Sequence, residues 1–371
     1  MRFRFSELPL FSAVALFGTV SAFAAVRPAD YFSDHMVLQR DRPVPVWGMA
    51  EPGEAVSVEF AGQTCSAVAD RTGQWQVKLT PLKASSESRT LKIFAGNQTI
   101  KQSNNQTILS DVLVGDVWFV GGGMNVEMTF GWGVAGADEA LAEAERYPAV
   151  RMVHGPVGAK SVLPVDRETG LGKWTTCTKQ TLPGLSAVGY FFARELNKAS
   201  GIPVGIVYRS TAWTGIEGWL PTEGLEAVPE AAKYFAQQKK AMSDLMAGEP
   251  PFSVFHHAMV APLGRLPFAG GVWYEGETSR ALDYGIKLRA LLTGWRMSWG
   301  QAFPVAVVEV RTPGASFDQI RRHQREAVAA LPATALIETM DLPYAAGEYF
   351  TKGGKLEIGQ RLAAWARKGG H

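Results

Sequence analysis

The chain has 371 residues, of which 46% are hydrophobic and 19% are charged, and its formal net charge is +2. So much apolar material excludes a largely disordered protein and exceeds what one ordinary domain needs. The balance of 37 basic and 35 acidic residues excludes a strong electrostatic attraction to nucleic acid or to an anionic membrane surface. We therefore expect no nucleic-acid partner, and a small or neutral ligand is the default.

The N-terminus has the pattern of an export signal. Arg2 and Arg4 precede an apolar stretch over residues 8–20, and Ala22 and Ala24 then give an A-x-A cleavage pattern. The alternative is an uncleaved membrane anchor, but a proline and serines shorten the apolar run below the roughly 18 residues that a span needs. We expect a signal peptide over residues 1–24 and a periplasmic or extracellular protein that has no membrane contact after cleavage.

Residues 25–110 show short strand patterns separated by turn signals. Apolar and polar residues alternate over 44–48, 56–60, 75–79 and 91–94, and no helical stretch interrupts them. Several short strands at this spacing predict a small β-sandwich domain.

Residues 111–371 change to alternating strands and helices. Apolar runs typical of buried parallel strands alternate with helical patterns, the strands at 112–120, 204–208, 271–274 and 305–310 and the helices at 138–146, 186–199, 284–297, 317–330 and 356–366. This alternation predicts an α/β domain with three layers, α/β/α, and a mostly parallel sheet covered on both faces. Residues 224–251 are polar and predict a helical excursion from the sheet.

Ligands of open α/β sheets bind outside the carboxyl ends of the strands. Four segments are expected at that edge, and we call them the edge segments: residues 121–127, 210–219, 274–280 and 341–355. Any binding site is expected to be built from them.

The sequence offers no pattern for a metal or a cofactor. It has two cysteines, Cys65 and Cys177, and no CxxC or HExxH motif, and the six histidines include only one adjacent pair, His256 and His257. The cysteines fall in different predicted domains, which favours free thiols and leaves their pairing open.

Six motifs in chain order carry a resemblance. They are Asp116-Val117-Trp118, Asn125-x-Glu127, Ile216-Glu217-Gly218-Trp219, Met259-Val260-Ala261-Pro262-Leu263, Trp273-Tyr274-Glu275-Gly276-Glu277 and Gly359-Gln360-Arg361-Leu362. This series resembles the sialate O-acetylesterase family, which consists of carbohydrate acetylesterases related to the SGNH-hydrolase fold. Residues 32–40 also resemble the start of that family's N-terminal β-domain. The resemblance implies an SGNH-hydrolase-like fold and hydrolysis of O-acetyl esters on sialic acid or other sugars.

The family's chemistry implies a serine nucleophile on the turn after the first strand, followed by Asn and Glu. Asn125 and Glu127 match that pattern, but Met124 occupies the nucleophile position and Gly123 replaces the flanking Gln. A thioether has no proton to lose and forms no acyl-enzyme by this route.

Other positions implied by the resemblance are also substituted. Anchoring on the Glu357-Ile358-Gly359 helix places Tyr349 at the family's acid and Thr351 at its histidine. In the later blocks Trp213 replaces a Gly, where it would crowd an acyl pocket, and Glu275 replaces a Gln. The residues expected to bind substrate are Gly123, Asn125, Glu127, Trp213, Glu217, Glu275 and Glu277.

Two functions remain open from the sequence. The first is a carbohydrate O-acetylesterase, and the second is a catalytically impaired relative that binds plain or acetylated glycans, in which Trp213 would stack on a sugar ring. An active enzyme would need a rearranged site, for which Ser210, Thr211 and Thr214 offer hydroxyls and His154 and His256 offer bases. Glu275 and Glu277 as the paired carboxylates of a glycosidase are a weaker alternative, because two residues apart on one segment they are better placed to bond a turn.

Overall fold

The computed structural model describes residues 26–96, 105–165, 172–245, 252–300, 302–343 and 352–369, with only the backbone described over 238–245. The predicted signal peptide and the positions Tyr349 and Thr351 lie outside the described residues. Within those ranges, no helix combines the length and apolar character that crossing a membrane requires.

The N-terminal part contains eight strands among the residues that the structure describes. They are β1 (Arg27–Pro28), β2 (Val37–Gln39), β3 (Val44–Met49), β4 (Ala55–Phe60), β5 (Gln63–Val68), β6 (Gln74–Leu79), β7 (Ser85–Ala95) and β8 (Gln106–Gly122). One sheet has the order β1-β3-β6; in the other, β4 pairs with β5 and β7, and β7 and β2 pair with β8. Alternate residues such as Trp75, Val77 and Leu79 of β6 are buried, as a half-buried strand requires. The predicted β-sandwich is confirmed.

Strand β8 runs without a break from the sandwich into the second sheet. Its first half pairs with β7 in antiparallel fashion, and its second half lies in the parallel sheet. Asp111, at the position where we expected the second domain to begin, has a left-handed backbone with φ 54° in the middle of this strand. Pairing with the sandwich strands β7 and β2 nevertheless continues to Gly115, and pairing in the parallel sheet begins at Asp116, so the chain changes sheets within one strand and without a linker.

The second sheet contains the remaining strands together with β8. These are β9 (Val150–His154), β10 (Thr175–Thr176), β11 (Val204–Ser210), β12 (Gly270–Tyr274), β13 (Val305–Val308) and β14 (Thr334–Ile337). The order is β10-β9-β11-β8-β12-β13-β14, and every neighbouring pair is parallel except β10 with β9. All seven residues of β11 are buried, as expected of a strand covered on both faces. The predicted mostly parallel sheet is confirmed.

Within the described ranges, eight α-helices accompany the sheet: α1 (Met124–Glu127), α2 (Ala137–Glu143), α3 (Ala187–Ser200), α4 (Thr222–Ala227), α5 (Pro229–Leu245), α6 (Tyr284–Trp299), α7 (Ala315–Ala330) and α8 (Lys355–Arg367). Neighbouring residues of β8 show that both faces are covered. Trp118 meets Phe192 of α3 and Trp365 of α8 on one face, at ring-centroid distances of 5.3 and 5.5 Å. Phe119 meets Trp295 of α6 on the other face, at 5.0 Å. The three-layer prediction is therefore confirmed.

The strand register aligns the carboxyl ends of the central strands. Ser210 of β11 and Tyr274 of β12 both pair with Gly122 of β8. A Cβ at Gly122 would lie 2.1 Å from the carbonyl oxygen of Tyr274, so only glycine allows this approach. The segments that follow these three strands consequently meet at one edge.

Candidate ligand-binding site at the sheet edge

Met124 lies at the first position of α1, immediately after the glycine turn that ends β8. Its side chain is 9% exposed, and Gly123 before it is the N-cap residue. This is the strand-to-helix turn at which the family resemblance implies a serine nucleophile. A thioether sulfur there is at most a weak hydrogen-bond acceptor.

Asn125 joins three separate parts of the chain. Its Nδ2 donates to Oε1 of Glu277 at 2.6 Å, and its Oδ1 accepts from Nζ of Lys355, the first residue of α8. All three side chains are buried, and the Lys355 ammonium also lies 5.0 Å from the centre of the Tyr274 ring. A buried ammonium is tolerated only where acceptors and an opposite charge surround it.

The protonation of Glu277 is set by competing effects. Burial raises its pKa above the ordinary value, and the Lys355 charge and the Asn125 hydrogen bond oppose that rise without cancelling it. The Lys355 charge and the Asn125 hydrogen bond thus favour the ionised form of Glu277.

Glu275 is fixed by a chain of hydrogen bonds from the neighbouring edge segment. Ser279 Oγ donates to Glu275 Oε1 at 2.6 Å, and the Ile216 amide donates to Ser279 Oγ at 3.0 Å. Burial, with smaller contributions from Glu277 and Glu217, raises the pKa of Glu275 to about 8. A Cβ at Gly123 would lie 3.5 Å from Glu275 Cγ, so this acid sits against the turn that carries Met124.

Glu127 and Trp213 meet through the backbone. Glu127 Oε2 accepts from the Ala212 amide at 2.6 Å, which fixes the residue before Trp213. Trp213 has a left-handed backbone with φ 60° and a 69% exposed side chain. Its indole is therefore largely exposed at the rim of the edge, and its role in an acyl pocket stays a prediction.

Glu217 faces α6. Its Oε1 accepts from Lys287 Nζ at 2.6 Å, and Asp283 accepts from the same ammonium at 2.6 Å. Although burial alone would lower it, the pKa of Lys287 is raised by these two carboxylates. Glu217 thus anchors its edge segment to α6.

Five of the seven predicted binding residues are directly connected across the edge: Asn125 with Glu277, Gly123 with Glu275, and Glu127 with the backbone next to Trp213. Trp213 follows the backbone that Glu127 holds, and Glu217 bonds Lys287 of α6. The structure therefore brings together the segments that the sequence selected.

The hydroxyls and histidines considered for a rearranged site are not joined as a nucleophile and base. Ser210 Oγ and His154 Nε2 are both buried without a hydrogen-bond partner. His154 instead stacks on Tyr208 at 4.4 Å, and burial lowers its pKa to about 4. Burial likewise lowers the pKa of His256 to about 3. Among the residues described, no Ser–His hydrogen bond is formed.

The other hydroxyls hold turns. Thr211 Oγ1 donates to the Ser210 carbonyl and accepts from the Gly158 amide, and Thr214 Oγ1 donates to the Thr211 carbonyl. Thr278 Oγ1 donates to the Thr214 carbonyl at 2.7 Å, which ties two edge segments together.

The structure places no group of three or more His, Cys, Asp or Glu side chains, within its described ranges, where they could hold a metal ion. Cys65 and Cys177 are both free, and Cys177 is buried while Cys65 is partly exposed.

The sequence analysis missed three residues of the network: Lys355, Ser279 and Lys287. A signal existed for Lys355. A cation in the first turn of a helix opposes the helix dipole, so an unexposed lysine there indicates a specific acidic or carbonyl partner. Ser279 and Lys287 carry no such signal.

The part of this chain that matches a known protein family includes most of this edge of the sheet. The family model described as "Carbohydrate esterase, sialic acid-specific acetylesterase" matches residues 173–368, more than half of the chain. The chain belongs to this family. The match covers three of the four edge segments, and the remaining one carries Met124.

Relatives of this carbohydrate esterase family extend the similarity over most of the chain. Human sialate O-acetylesterase is 28% identical over 90% of this chain and 69% of its own length. The rat enzyme of the same name is 26% identical over 92% of this chain and 74% of its own length. A crystal structure of a carbohydrate acetylesterase from Xanthomonas citri superimposes with a TM-score of 0.78 at 29% identity, over 92% of this chain and 74% of that one.

Proposed function

We propose that this chain is a catalytically impaired member of the carbohydrate esterase family that binds glycans at the sheet edge. The observation that carries the proposal is Met124, which begins α1 at the turn where the family resemblance requires a serine. Serine-type ester hydrolysis begins with attack by a hydroxyl oxygen whose proton a base removes. Methionine offers neither the oxygen nor the proton.

Carbohydrate is the ligand class that the relatives favour. The human and rat relatives are named sialate O-acetylesterases, and the Xanthomonas citri structure is that of a carbohydrate acetylesterase. We infer an O-acetylated or plain glycan as the partner of this chain. Gly123, Asn125, Glu127, Glu217, Glu275 and Glu277 would shape the edge, and the exposed indole of Trp213 would stack on a sugar ring.

Export and domain organisation belong to the same proposal. The basic and apolar pattern of residues 1–24 supports secretion, and a β-sandwich over 25–110 would precede the catalytic-type domain over 111–371. Intact-mass measurement of the protein recovered from outside the cytoplasm tests cleavage after Ala24.

Acetate release and glycan binding by the purified mature protein test the proposal together. O-acetylated sialic acid and acetylated xylan are the substrates for the first, and the same sugars are titrated calorimetrically for the second. We expect binding without turnover. A Met124→Ser/Tyr349→Asp/Thr351→His variant serves as the positive arm, because it restores the residue types that the family's chemistry requires. Turnover by the unaltered protein at the rate of the restored variant contradicts impairment.

A rearranged active site is the second candidate. The hydroxyl of Ser210 at the same sheet edge favours it, because this buried Oγ has no hydrogen-bond partner and would reach a ligand after a shift of the edge segments. In that case the unaltered protein releases acetate and Ser210→Ala abolishes the release. Thr211→Val is the control, since the Thr211 hydroxyl bonds the backbone.

A further inference from the structure

Three buried or partly buried acids meet at the sheet edge: Glu217, Glu275 and Glu277. Two of them, Glu217 and Glu277, lie close to a lysine. Glu217 bonds Lys287, and Glu277 lies close enough to Lys355 for that charge to lower its pKa. Glu275 takes part in no ion pair in the part of the chain that the structure describes. The charges that act on it most strongly are those of Glu277 and Glu217, both acidic.

The hydrogen bonds around Glu275 fix where a proton would sit. Since the Ile216 amide donates to Ser279 Oγ, the serine hydroxyl hydrogen is directed to Glu275 Oε1. Oε1 is thus an acceptor, and a proton on this carboxyl group belongs on Oε2. Oε2 is buried and has no partner. A carboxylic acid in this form has the acceptor and donor arrangement of a glutamine amide.

We propose that Glu275 is a positioning residue that acts as a neutral carboxylic acid, equivalent to a glutamine, and that loss of its proton loosens the edge segments around it. Its Cγ lies against Gly123, its Oε1 is bonded through Ser279 to residue 216, and its carbonyl accepts from Tyr284 of α6 at 2.8 Å. Ionisation therefore acts on 123–127 and 211–219 at once.

The surroundings give the ionised form the hydrogen bonds of Ser279 and Tyr284 but no opposite charge. The groups that face Glu275 are Glu217 on the neighbouring segment, Glu277 on its own segment, Tyr284 on α6 and the neutral Gln324 on α7, whose Nε2 lies 3.4 Å from the Glu275 carbonyl. The ammonium of Lys287 is bonded to Glu217 and Asp283, and that of Lys355 to Asn125. A negative charge on buried Oε2 would then need water or a shift of the segments.

Hydrogen exchange measured by mass spectrometry tests this inference without any ligand. Unaltered protein and Glu275→Gln are compared at each pH between 5 and 9.5, in peptides covering 123–127 and 211–219. The tight form keeps the proton up to about pH 8, whereas the loosened form loses it at an ordinary carboxyl pKa. We therefore expect exchange in the unaltered protein, relative to Glu275→Gln, to rise by up to about tenfold per pH unit below pH 8 and to level off above it. Glu87→Gln, an exposed carboxylate in the sandwich, is the control and should behave as the unaltered protein. Equal exchange by the unaltered protein and Glu275→Gln at every pH overturns the inference.

Ser279→Ala provides a second variant with a separate signature. It removes the donor that stabilises the ionised form, so the pH at which exchange levels off should move upward. A role for Ser279 in packing alone would change exchange at all pH values and leave that pH in place.

The consequence for ligand binding rests on the proposed function. Sugar affinity of the unaltered protein should fall as the pH rises through 8, while that of Glu275→Gln should stay constant. If no sugar binds at any pH but the exchange difference is present, the proposed function fails and the role of Glu275 stands. If sugar binds with the same pH dependence in both proteins, the proposed function stands and the role of Glu275 fails.

Discussion

Asn125 and Glu277 are 152 residues apart in the chain, yet the amide of one donates to the carboxyl group of the other at 2.6 Å inside the protein. Lys355 completes the contact from the first turn of α8. This buried trio connects the turn after β8, the segment after β12 and the last helix. The position of Met124, one residue before Asn125, is fixed by the same contact.

Lys355→Met tests the trio. Removing the ammonium leaves Asn125 Oδ1 without its donor and Glu277 without the charge that stabilises its ionised form, so we expect a loss of about 3–5 kcal/mol in the free energy of unfolding. Urea denaturation measures it. Lys83→Met is the matched control, because Lys83 pairs with Asp41 on the surface and its loss should leave the stability nearly unchanged. Equal losses in the two variants would mean that the buried contact contributes nothing special.

Gly122→Ala tests the close approach of β8 and β12. The new Cβ would lie 2.1 Å from the Tyr274 carbonyl oxygen, so the strands must separate at the edge, and we expect a loss of at least about 2–3 kcal/mol. Gly184→Ala is the control, since nothing lies within 4 Å of its Cβ position. Thermal unfolding of both variants decides: similar midpoints would show that the edge can widen without cost.

His154 should make the protein sensitive to acid. Its pKa is about 4 in the fold and ordinarily 6.5, because burial disfavours the charged ring. The unfolded chain therefore binds a proton that the folded one does not, and stability falls as the pH drops from 6.5 to 4, by about 2–3 kcal/mol from this residue.

His154→Phe keeps an aromatic ring against Tyr208 and removes the titration. We expect its stability to fall less steeply between pH 6.5 and 4 than that of the unaltered protein, measured by urea denaturation at each pH. Two parallel curves would assign the acid sensitivity to other groups.

Trp213→Gly separates binding from folding. Glycine adopts φ 60° without the conformational cost that a tryptophan incurs, which stabilises the folded state. Glycine also has more freedom in the unfolded chain, which has the opposite effect. Because the two effects offset each other, the free energy of unfolding should change by less than about 1 kcal/mol. Glycan affinity should fall at least about tenfold if the indole stacks on a sugar.

Trp213→Ala is the comparison for that prediction. It loses the indole but keeps the left-handed strain, so it should bind as poorly as the glycine variant and be less stable than it. Unchanged affinity in both variants would remove Trp213 from the binding surface.

The sequence predicted the strands and helices with the strongest patterns. The seven buried residues of β11 and the apolar run of β8 could only be strands covered on both faces, and both are. It missed β9 and β14 because β9 carries Arg151 near its middle and β14 is mostly half-buried, so neither has a fully apolar run. Short strands gain their stability from neighbours rather than from their own pattern.

The location of the candidate site could be predicted because it follows from the strand topology. Parallel strands end at one edge, so the segments after β8, β11 and β12 had to meet there, and Asn125, Glu127 and Glu277 were selected on that basis. The directions of their side chains were not predictable. Trp213 has a left-handed backbone and is 69% exposed, and neither follows from its residue type.

By itself the sequence determined the class of fold, the edge and the methionine at the nucleophile position, since these follow from periodicity, strand order and residue identity. Only the tertiary structure decided which charges meet. Lys355 reaches Asn125 from 230 residues away, and Glu275 has acids rather than a lysine for neighbours. The protonation of a buried acid depends on burial and on the charges packed around it, and the chain brings these together only when it folds.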